Sequence, residues 1–417
     1  LVSTKELVWV VFRLCFGKGM ELIVRAVQLL FLNFSKKKLS ADEICRRAVL
    51  AFTVSLFLPF YVGIAVMSCI AFLTLSRSRA REKALSAPFT KLVFGFLAVS
   101  FFASAVYNNY IGMLYSLLAY AVVVCGLYLR SVMTCPLFHL SLDTACVASL
   151  WCAAIAVVQK AVYFSKAPNY RPVSVFSNAN YYGMMIEFLV VIALYRIFTN
   201  PKHRNFYLAV IGVNLIGLYL AASCSACIAM VCAVAIFLFY RGSKKMILLF
   251  LAALGAGLVV IVFFPMLLPR SSTALETTIA QRVSIWTASL HAFKRSAIFG
   301  RGPSAYRLIW EQYGGFKTYH CHNLLLDALL NYGVAGTIAI FLYAAAQIRV
   351  LILRYQYGIC RSMDVLAAAL LVAVLVHGLS DVTIFWVQTS GLFFLVASSM
   401  GIDSAYADER VRLPRPV

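Results

Sequence analysis

The stretch PMLLPRSSTALETTIAQRVSIWTASLHAFKRSAIFGRGPSAYRLIWEQYGGFKTYHCHN, residues 265–323, decides how the rest of the chain is interpreted. It is the only long polar interruption in an otherwise apolar sequence. Seven Lys and Arg residues in it are balanced by two Glu residues, which gives a formal charge of +5. A polar connection this long between apolar segments usually carries function. It ends in His320, Cys321, His322 and Asn323.

The composition predicts an all-α integral membrane protein. Hydrophobic residues make up 63% of the 417, charged residues only 12%, and the mean hydropathy is +0.88. A soluble domain has about twice that charged fraction. The net charge of +22 lies mainly at the ends of apolar segments, which suits anionic lipid headgroups. Nucleic acid is excluded as a partner because no soluble basic domain carries the charge.

The start of the chain is predicted to lie on the cytoplasmic side. Charged residues at helical intervals in residues 1–34 predict an amphipathic helix at the membrane interface, within an N-terminal cytoplasmic segment, residues 1–47. Residues 48–75 are apolar and are interrupted at Pro59. Since one span needs about 20 residues, they form one long tilted helix or a hairpin of two. Basic residues on both sides favour the hairpin.

The remaining apolar segments bring the total to about 12 membrane helices. The basic loops between them fall on one side, which is the cytoplasmic side by the positive-inside tendency, so the polar stretch faces the other side. The chain then divides into a transmembrane bundle (48–264), an extracytoplasmic catalytic loop (265–323), C-terminal transmembrane helices (324–400) and a cytoplasmic tail (401–417). The segments are 91–107, 111–129, 143–163, 180–198, 206–221, 223–240, 246–264, 324–348, 364–380 and 383–400.

Within the polar loop, the sequence predicts an amphipathic helix. Thr273-Ala-Leu-Glu276 is a capping box, and the glycines after Phe299 end the helix near Ile298. Such a helix is either a linker on the membrane surface or a lid that places Arg282 over a headgroup site. Its apolar face is predicted from Ile279, Val283, Trp286, Leu290, Phe293 and Ala297.

Several single residues are candidates for a site. His322 lies where the loop enters a span, and it is either a general base or an interfacial histidine. His320 is interpreted as its neighbour rather than as a second base. Asp381 is either a helix-end partner or part of the site. Glu187 lies inside a span, where a charge points to function, although pairing with an outer arginine is equally compatible.

Two further groups have simpler structural explanations. Tyr170, Tyr181 and Tyr182 could stack on sugars, but an interfacial aromatic belt accounts for them as well. Cys224-Ser-Ala-Cys227 has the spacing of a redox motif, yet it lies in an apolar run and is interpreted as ordinary buried thiols. No metal-ligand set is apparent in the sequence.

Four segments, in order along the chain, resemble the O-antigen ligase family of bacterial membrane glycosyltransferases, which includes related polymerases. Each segment is weak alone, and the four together cover about 167–398 on the same predicted face. They are RPVSVFSNANYYG at 171–183, RVSIWTA at 282–288 with FGRGPSAY at 299–306, HNLLL at 322–326 with YGVAG at 332–336, and HGLSD at 377–381.

The resemblance implies a function and a set of roles. A glycan on undecaprenyl pyrophosphate is the donor, and an acceptor glycolipid or glycan attacks it through a sugar hydroxyl, with no metal and no cofactor. The fold is similar to the C-type membrane glycosyltransferases, in the cytoplasmic (inner) membrane, with the site facing outward. His322 matches the base and Arg282 a phosphate-binding arginine. Donor-binding roles are expected for Arg171, Asn180, Arg270, Arg301, Asn323 and Asp381.

One departure from the family pattern stands at Cys224, where members often carry an arginine after a serine. Arg171, Arg270 or Arg301 would then hold the pyrophosphate, or the donor would be held differently. Two alternatives outside the ligase assignment remain open. The chain could be a repeat-unit polymerase of the same family or, less favoured because midpoint charges are few and no repeat is seen, a lipid-linked sugar transporter. A non-enzymatic assembly subunit does not explain the basic loop.

Overall fold

The computed structural model describes residues 40–167, 169–242, 244–264 and 272–402. This part of the chain is all-helical and contains no strand. Its α-helices are α1 (Ala41–Ser55), α2 (Phe60–Ser76), α3 (Ser78–Leu85), α4 (Thr90–Val106), α5 (Tyr110–Val132), α6 (Cys135–Tyr163), α7 (Ala179–Thr199), α8 (Arg204–Ala221), α9 (Cys224–Arg241), α10 (Lys244–Phe263), α11 (Ser272–Lys294), α12 (Tyr306–Ile309), α13 (Leu324–Gln356), α14 (Arg361–Gly378) and α15 (Val387–Ala397).

Seven of the described helices are long and apolar enough to cross a membrane: α5, α6, α7, α8 with the short turn before it, α9, α13 and α14. An eighth is added if α2 and α3, which are bent by 105° against each other, count as one span. The chain is therefore a multi-pass membrane protein. The total of about 12 membrane helices stays a prediction, because α1, α2, α4 and α15 are shorter than about 20 residues.

The first helices differ in detail from the sequence-based boundaries. The bundle was expected from residue 48, but α1 begins at Ala41 because the Ser40 side chain caps it by accepting from the Glu43 N–H at 3.2 Å. The turn that ends at Pro59 separates α1 from α2, as in the predicted hairpin. The amphipathic helix predicted in residues 1–34 and most of the predicted cytoplasmic tail lie outside the described residues.

The main core is built around α7. Within the most apolar part of this helix 89% of the residues are buried, and it packs against α6, α8, α9 and α14. Its fully buried side chains include Ile186, Phe188 and Tyr195. Because α7 is enclosed by protein on nearly every side, its N-terminal residues are held rigidly at one end of the bundle.

The polar loop has a small core of its own. Ile285, Ala288 and Ala292 of α11 pack there with Tyr306 and Ile309 of α12. Cys321 and Leu330 complete it, and both are fully buried. The loop is therefore a packed unit seated on the N-terminal half of α13.

A break in α13 joins this loop to the bundle. Gly333 has φ 64° and ψ −171°, which interrupts the helix and exposes backbone groups on both sides of the break. Val334 and Ala335 donate to the carbonyls of Ala297 and Ile298, while the amides of residues 301 and 302 donate to the carbonyls of Leu330 and Asn331. A Cβ at Gly333 would lie 2.3 Å from a loop carbonyl, so this close approach requires glycine.

Candidate functional site

Asp381 is the centre of a polar cluster at the end of the bundle where α7, α9 and α13 begin and α14 ends. Its side chain is only 1% exposed. Oδ1 lies 3.0 Å from Nδ1 of His322 and accepts from the Val382 N–H at 2.8 Å, while Oδ2 accepts from the Asn180 amide. Every acceptor oxygen of this buried carboxylate is therefore used, as a buried charge requires.

His322 is oriented from both sides. Because the ionised carboxylate of Asp381 only accepts, Nδ1 is the nitrogen that donates to it, and in the neutral ring the lone pair is then on Nε2. Nε2 lies 3.3 Å from the Thr318 hydroxyl, and the side chain remains 20% exposed. The backbone at His322 has φ 49°, in the left-handed region that few residues with a Cβ adopt. Such local strain is typical of functional sites.

Arg171 and Asn180 extend the cluster away from the histidine. The Arg171 guanidinium donates to Asn180 Oδ1 at 2.6 Å and to the Ala221 carbonyl at 2.8 Å. The Ser223 hydroxyl also donates to Asn180 Oδ1, at 3.2 Å. The Asn180 amide is thus fixed at both ends, with its nitrogen on Asp381.

Two groups in this cluster have shifted pKa values. Burial opposes ionisation of Asp381, but the hydrogen bond from His322 and the neighbouring imidazoles outweigh it and hold the pKa of Asp381 below its ordinary value. Burial lowers the pKa of His320 to about 4, against the opposing effect of Asp381. The carboxylate is therefore charged and the His320 ring neutral near pH 7.

A second histidine–carboxylate pair lies deeper in the bundle. His377 Nδ1 is 3.0 Å from Glu187 Oε2, and both side chains are fully buried. Glu187 Oε1 and His377 Nε2 have no hydrogen-bond partner in the described part of the chain. The pair links α7 to α14, and the His377 carbonyl accepts from the Asp381 N–H at 3.0 Å. It therefore helps to position Asp381, and Glu187 pairs with His377 rather than with an outer arginine.

The remaining donor-binding candidates lie outside this hydrogen-bonded cluster or serve the fold. Asn323 caps α13 by accepting from the Leu326 N–H at 3.0 Å and donates to the Leu379 carbonyl. Arg301 donates to Ser296 and lies 5.3 Å from the Tyr107 ring centre. Arg270 lies outside the described residues.

Arg282 differs from these residues because it has no hydrogen bond or ion pair to any described residue, while it remains close enough to His377 to act on it electrostatically. Its side chain is half-buried on α11. A guanidinium that no described residue binds is a candidate to bind an anionic ligand.

The predicted helix of the polar loop is present, but three of the six residues of its predicted apolar face are exposed. Ile279, Val283 and Leu290 are exposed by 53%, 53% and 45%, whereas Ile285 and Ala288 are buried. Ile285, Ala288 and Ala292 face the loop core, and Trp286 packs partly against it. The helix also ends at Lys294 rather than near residue 298, and Thr273 lies inside its first turn rather than capping it.

The tyrosine candidates pack against other aromatic rings, while the two cysteine candidates are exposed. Tyr182 is buried and stacks on Phe176, so it belongs to the core. Tyr181 stacks on Trp386 at 4.8 Å between ring centres. Cys224 and Cys227 were expected to be buried, but both are exposed, because they lie on the outward side of α9.

Asp327, Asn331 and Thr318 contact the site but were not identified as candidates from the sequence. Asp327 is buried, accepts from the Cys321 N–H at 3.0 Å and from Asn331 Nδ2 at 2.6 Å, and so fixes the loop that carries His322. Because residues four apart are neighbours on a helix, the spacing of Asp327 and Asn331 in an apolar run could have predicted this contact. No sequence pattern pointed to Thr318, because its contact with His322 depends on how the loop folds.

His320, His322 and Asp381 also form a possible metal-ligand set. Each offers one ligand atom, and these atoms lie within 4.8 Å of one another. The sequence did not predict this set because Asp381 is 59 residues from His322.

The fold and this cluster define a multi-pass membrane protein with a histidine–carboxylate site at one end of its helical bundle. Residues 206–341 match the family model described as O-Antigen ligase, which confirms the resemblance to the O-antigen ligase family indicated by the sequence motifs. The family indicates a glycan-processing membrane enzyme of the ligase or polymerase type and implies lipid-linked glycan substrates. No curated protein matches the chain at a significant level.

The matched range contains the polar loop, with Arg282 and His322, but not Asp381, Asn180 or Arg171. Arg171 lies in the loop before α7, Asn180 in the first turn of α7 and Asp381 in the turn after α14. All three connect to His322 through the hydrogen bonds described above. The site is therefore assembled from the matched region and from segments on both sides of it.

Proposed function

We propose that the protein is a membrane glycosyltransferase that moves a glycan from an undecaprenyl-pyrophosphate donor to an acceptor sugar hydroxyl. The acceptor is a glycolipid or glycan, and the reaction takes place at the extracytoplasmic face of a bacterial inner membrane. The observation that carries the proposal is the His322–Asp381 pair, with Nε2 of His322 as a proton acceptor at the edge of a basic loop.

The acceptor oxygen forms a bond to the anomeric carbon of the donor sugar, and its proton passes to His322 Nε2. The bond between that carbon and the pyrophosphate oxygen breaks, and undecaprenyl pyrophosphate leaves with the electron pair. Asp381 stabilises the imidazolium that forms and keeps the correct ring nitrogen free beforehand.

Arginine is assigned to the leaving group. A pyrophosphate gains negative charge as its bond to the sugar breaks, and a guanidinium binds that charge in a bidentate manner while staying protonated. Arg282 is the first choice because no described residue competes for it. Arg171 adds positive charge next to Asn180 and would replace the family arginine that is absent at Cys224. Arg270 and Arg301 remain secondary candidates.

The test uses purified wild type, His322→Ala and Arg282→Ala with an undecaprenyl-pyrophosphate glycan and candidate acceptors, with and without EDTA. His291→Ala and Arg307→Ala are matched controls, since both side chains lie exposed in the same loop. Wild type and the controls are expected to transfer glycan in EDTA. His322→Ala should lose about 10²–10⁴-fold in rate, as expected for a general base.

The other outcomes discriminate between functions. Full activity in His322→Ala contradicts the base assignment, and activity lost only in EDTA contradicts a metal-free step. Transfer to a second lipid-linked repeat identifies a polymerase, and transfer to a lipid-anchored core sugar a ligase. Movement of lipid-linked sugar across liposomes without transfer establishes the transporter alternative.

A further inference from the structure

Three ligand atoms converge at the proposed base. His322 Nδ1 lies 3.0 Å and His320 Nδ1 3.7 Å from the same oxygen of Asp381, and the two imidazole rings are 4.2 Å apart. All three ligand atoms lie within 4.8 Å of one another. The carboxylate is buried, while both imidazoles keep some exposure, so the cluster has an open side.

A hydrogen bond to Asp381 orients His322 but does not orient His320. A distance of 3.7 Å is too long for a hydrogen bond between His320 Nδ1 and Asp381 Oδ1. Instead, His320 Nδ1 accepts the backbone N–H of His322 at 3.3 Å, which requires a lone pair on this nitrogen. This weak hydrogen bond at 3.3 Å can be exchanged for a metal bond, because a cation placed between His320 Nδ1 and the carboxylate oxygen would be bound by lone pairs of both.

The distances suit zinc. Zinc binds imidazole nitrogen and carboxylate oxygen at about 2.0–2.2 Å with tetrahedral geometry, which separates ligand atoms by about 3.4 Å. The two distances to Asp381, 3.0 and 3.7 Å, bracket that value. Calcium and magnesium prefer oxygen ligands, so two imidazoles disfavour them.

We propose that His320, His322 and Asp381 form a Zn²⁺ site that switches the enzyme off. The inhibitory part rests on the proposed function, in which His322 is the base. Zinc takes the place of the proton on His322 Nδ1, and that proton moves through solvent to Nε2, so the ring remains neutral. Nε2 then carries N–H, has no lone pair and cannot accept the proton of the acceptor hydroxyl. The metal thus fixes the inactive tautomer.

The experiment measures zinc binding directly on the purified full chain. Metal-free wild type, His320→Gln and His322→Gln are titrated with Zn²⁺ by calorimetry, with His291→Gln as the control for an exposed histidine in the same loop. Binding common to all four proteins is assigned to thiols, because the chain has 12 Cys. X-ray absorption of the loaded protein separates zinc bonded to nitrogen and oxygen near about 2.0–2.1 Å from zinc bonded to sulfur near about 2.3 Å.

Wild type and His291→Gln are expected to share one site with nitrogen and oxygen ligands, and His320→Gln to bind there at least about tenfold more weakly. Equal affinity in wild type and His320→Gln, or a spectrum with sulfur ligands alone, overturns the proposal. Zn²⁺ should also inhibit glycan transfer, with reversal by EDTA and a higher inhibitory concentration for His320→Gln. If zinc binds as expected but no transfer is found in its absence, the proposed function fails and the metal site stands. If transfer depends on His322 but no zinc binds, the metal site fails alone.

Discussion

The two ends of the helical bundle hold their carboxylates in different ways. At the end where α6 and α14 begin, Asp143 is paired with Arg196 at 2.7 Å and Asp364 with Arg354 at 3.1 Å. At the site end, Asp381 is paired with His322 and Glu187 with His377. The Arg354 guanidinium also donates to the carbonyls of residues 399, 400 and 402, so it has no capacity left for a ligand.

The difference follows from proton chemistry. A guanidinium never loses its proton in a protein, so an ion pair between arginine and a carboxylate keeps its positive partner at every ordinary pH. An imidazole gains and loses a proton near neutral pH, so a histidine pair can take part in a reaction. Arginine pairs therefore fix the helices at one end, while the other end keeps exchangeable protons and one arginine, Arg282, without a protein partner among the described residues.

The largest expected effect comes from breaking an arginine clamp. Arg196→Met leaves the buried Asp143 carboxylate without its cation and should cost about 3–5 kcal/mol of stability. Thermal unfolding in detergent measures this loss. The matched control is Arg196→Met combined with Asp143→Leu, which removes both charges and should recover most of the stability. Failure of the double variant to recover would show that the pair is not the cause.

At the site end, Asp381→Asn should damage catalysis rather than the fold. The amide offers N–H where His322 needs an acceptor, so it favours the tautomer with the proton on Nε2. We expect kcat to fall on the order of 10²-fold, with the donor KM and the unfolding temperature little changed. A rise in donor KM with unchanged kcat would assign Asp381 to binding instead.

The break in α13 is tested by Gly333→Ala. An alanine at φ 64° and ψ −171°, a backbone region that is essentially restricted to glycine, costs about 1–3 kcal/mol before its contact with the loop carbonyl is counted. Stability and transfer should fall together, because the loop that carries Arg282 docks on this break. Gly242→Ala is the control, since Gly242 also has positive φ but nothing lies within 4 Å of its Cβ position. Equal losses in both variants would exclude the docking contact as the cause.

The smallest effect is expected at Thr318. Its hydroxyl lies 3.3 Å from His322 Nε2, at the atom that the acceptor hydroxyl must reach. Thr318→Val removes this competitor, and a hydrogen bond contributes about 0.5–1.5 kcal/mol, so the acceptor KM should fall by about 2–12-fold with kcat unchanged. Thr287→Val in exposed α11 is the control. A lower kcat would instead indicate that Thr318 carries the proton to His322.

Much of the fold could be predicted from the sequence. Hydropathy located α5 at 111–129 and α7 at 180–198, and the helices extend over Tyr110–Val132 and Ala179–Thr199. Periodicity could not identify the buried face of α11, because in a membrane protein large apolar residues face lipid as readily as protein. The exposed Ile279 and the buried Ala288 therefore reverse the usual assignment.

The site could be predicted only in part. His322, Asp381, Asn180 and Arg171 were all candidates, but their connection into one hydrogen-bonded chain depends on tertiary contacts between positions up to 201 apart. Asn323 has the spacing of a helix cap, three residues before Leu326, and its assignment to donor binding overlooked that simpler role.

Asn180 has a wider consequence, because it sits between a cation and an anion and presents a different atom to each. Its oxygen accepts a hydrogen bond from Arg171 and its nitrogen donates one to Asp381. The amide therefore lies between the two charged groups and bridges them through hydrogen bonds. An aspartate there would repel Asp381, and a leucine would leave Arg171 and Asp381 each short of a contact. The proposed base therefore depends, through Asp381, on the orientation of an uncharged amide that neither aspartate nor leucine would reproduce.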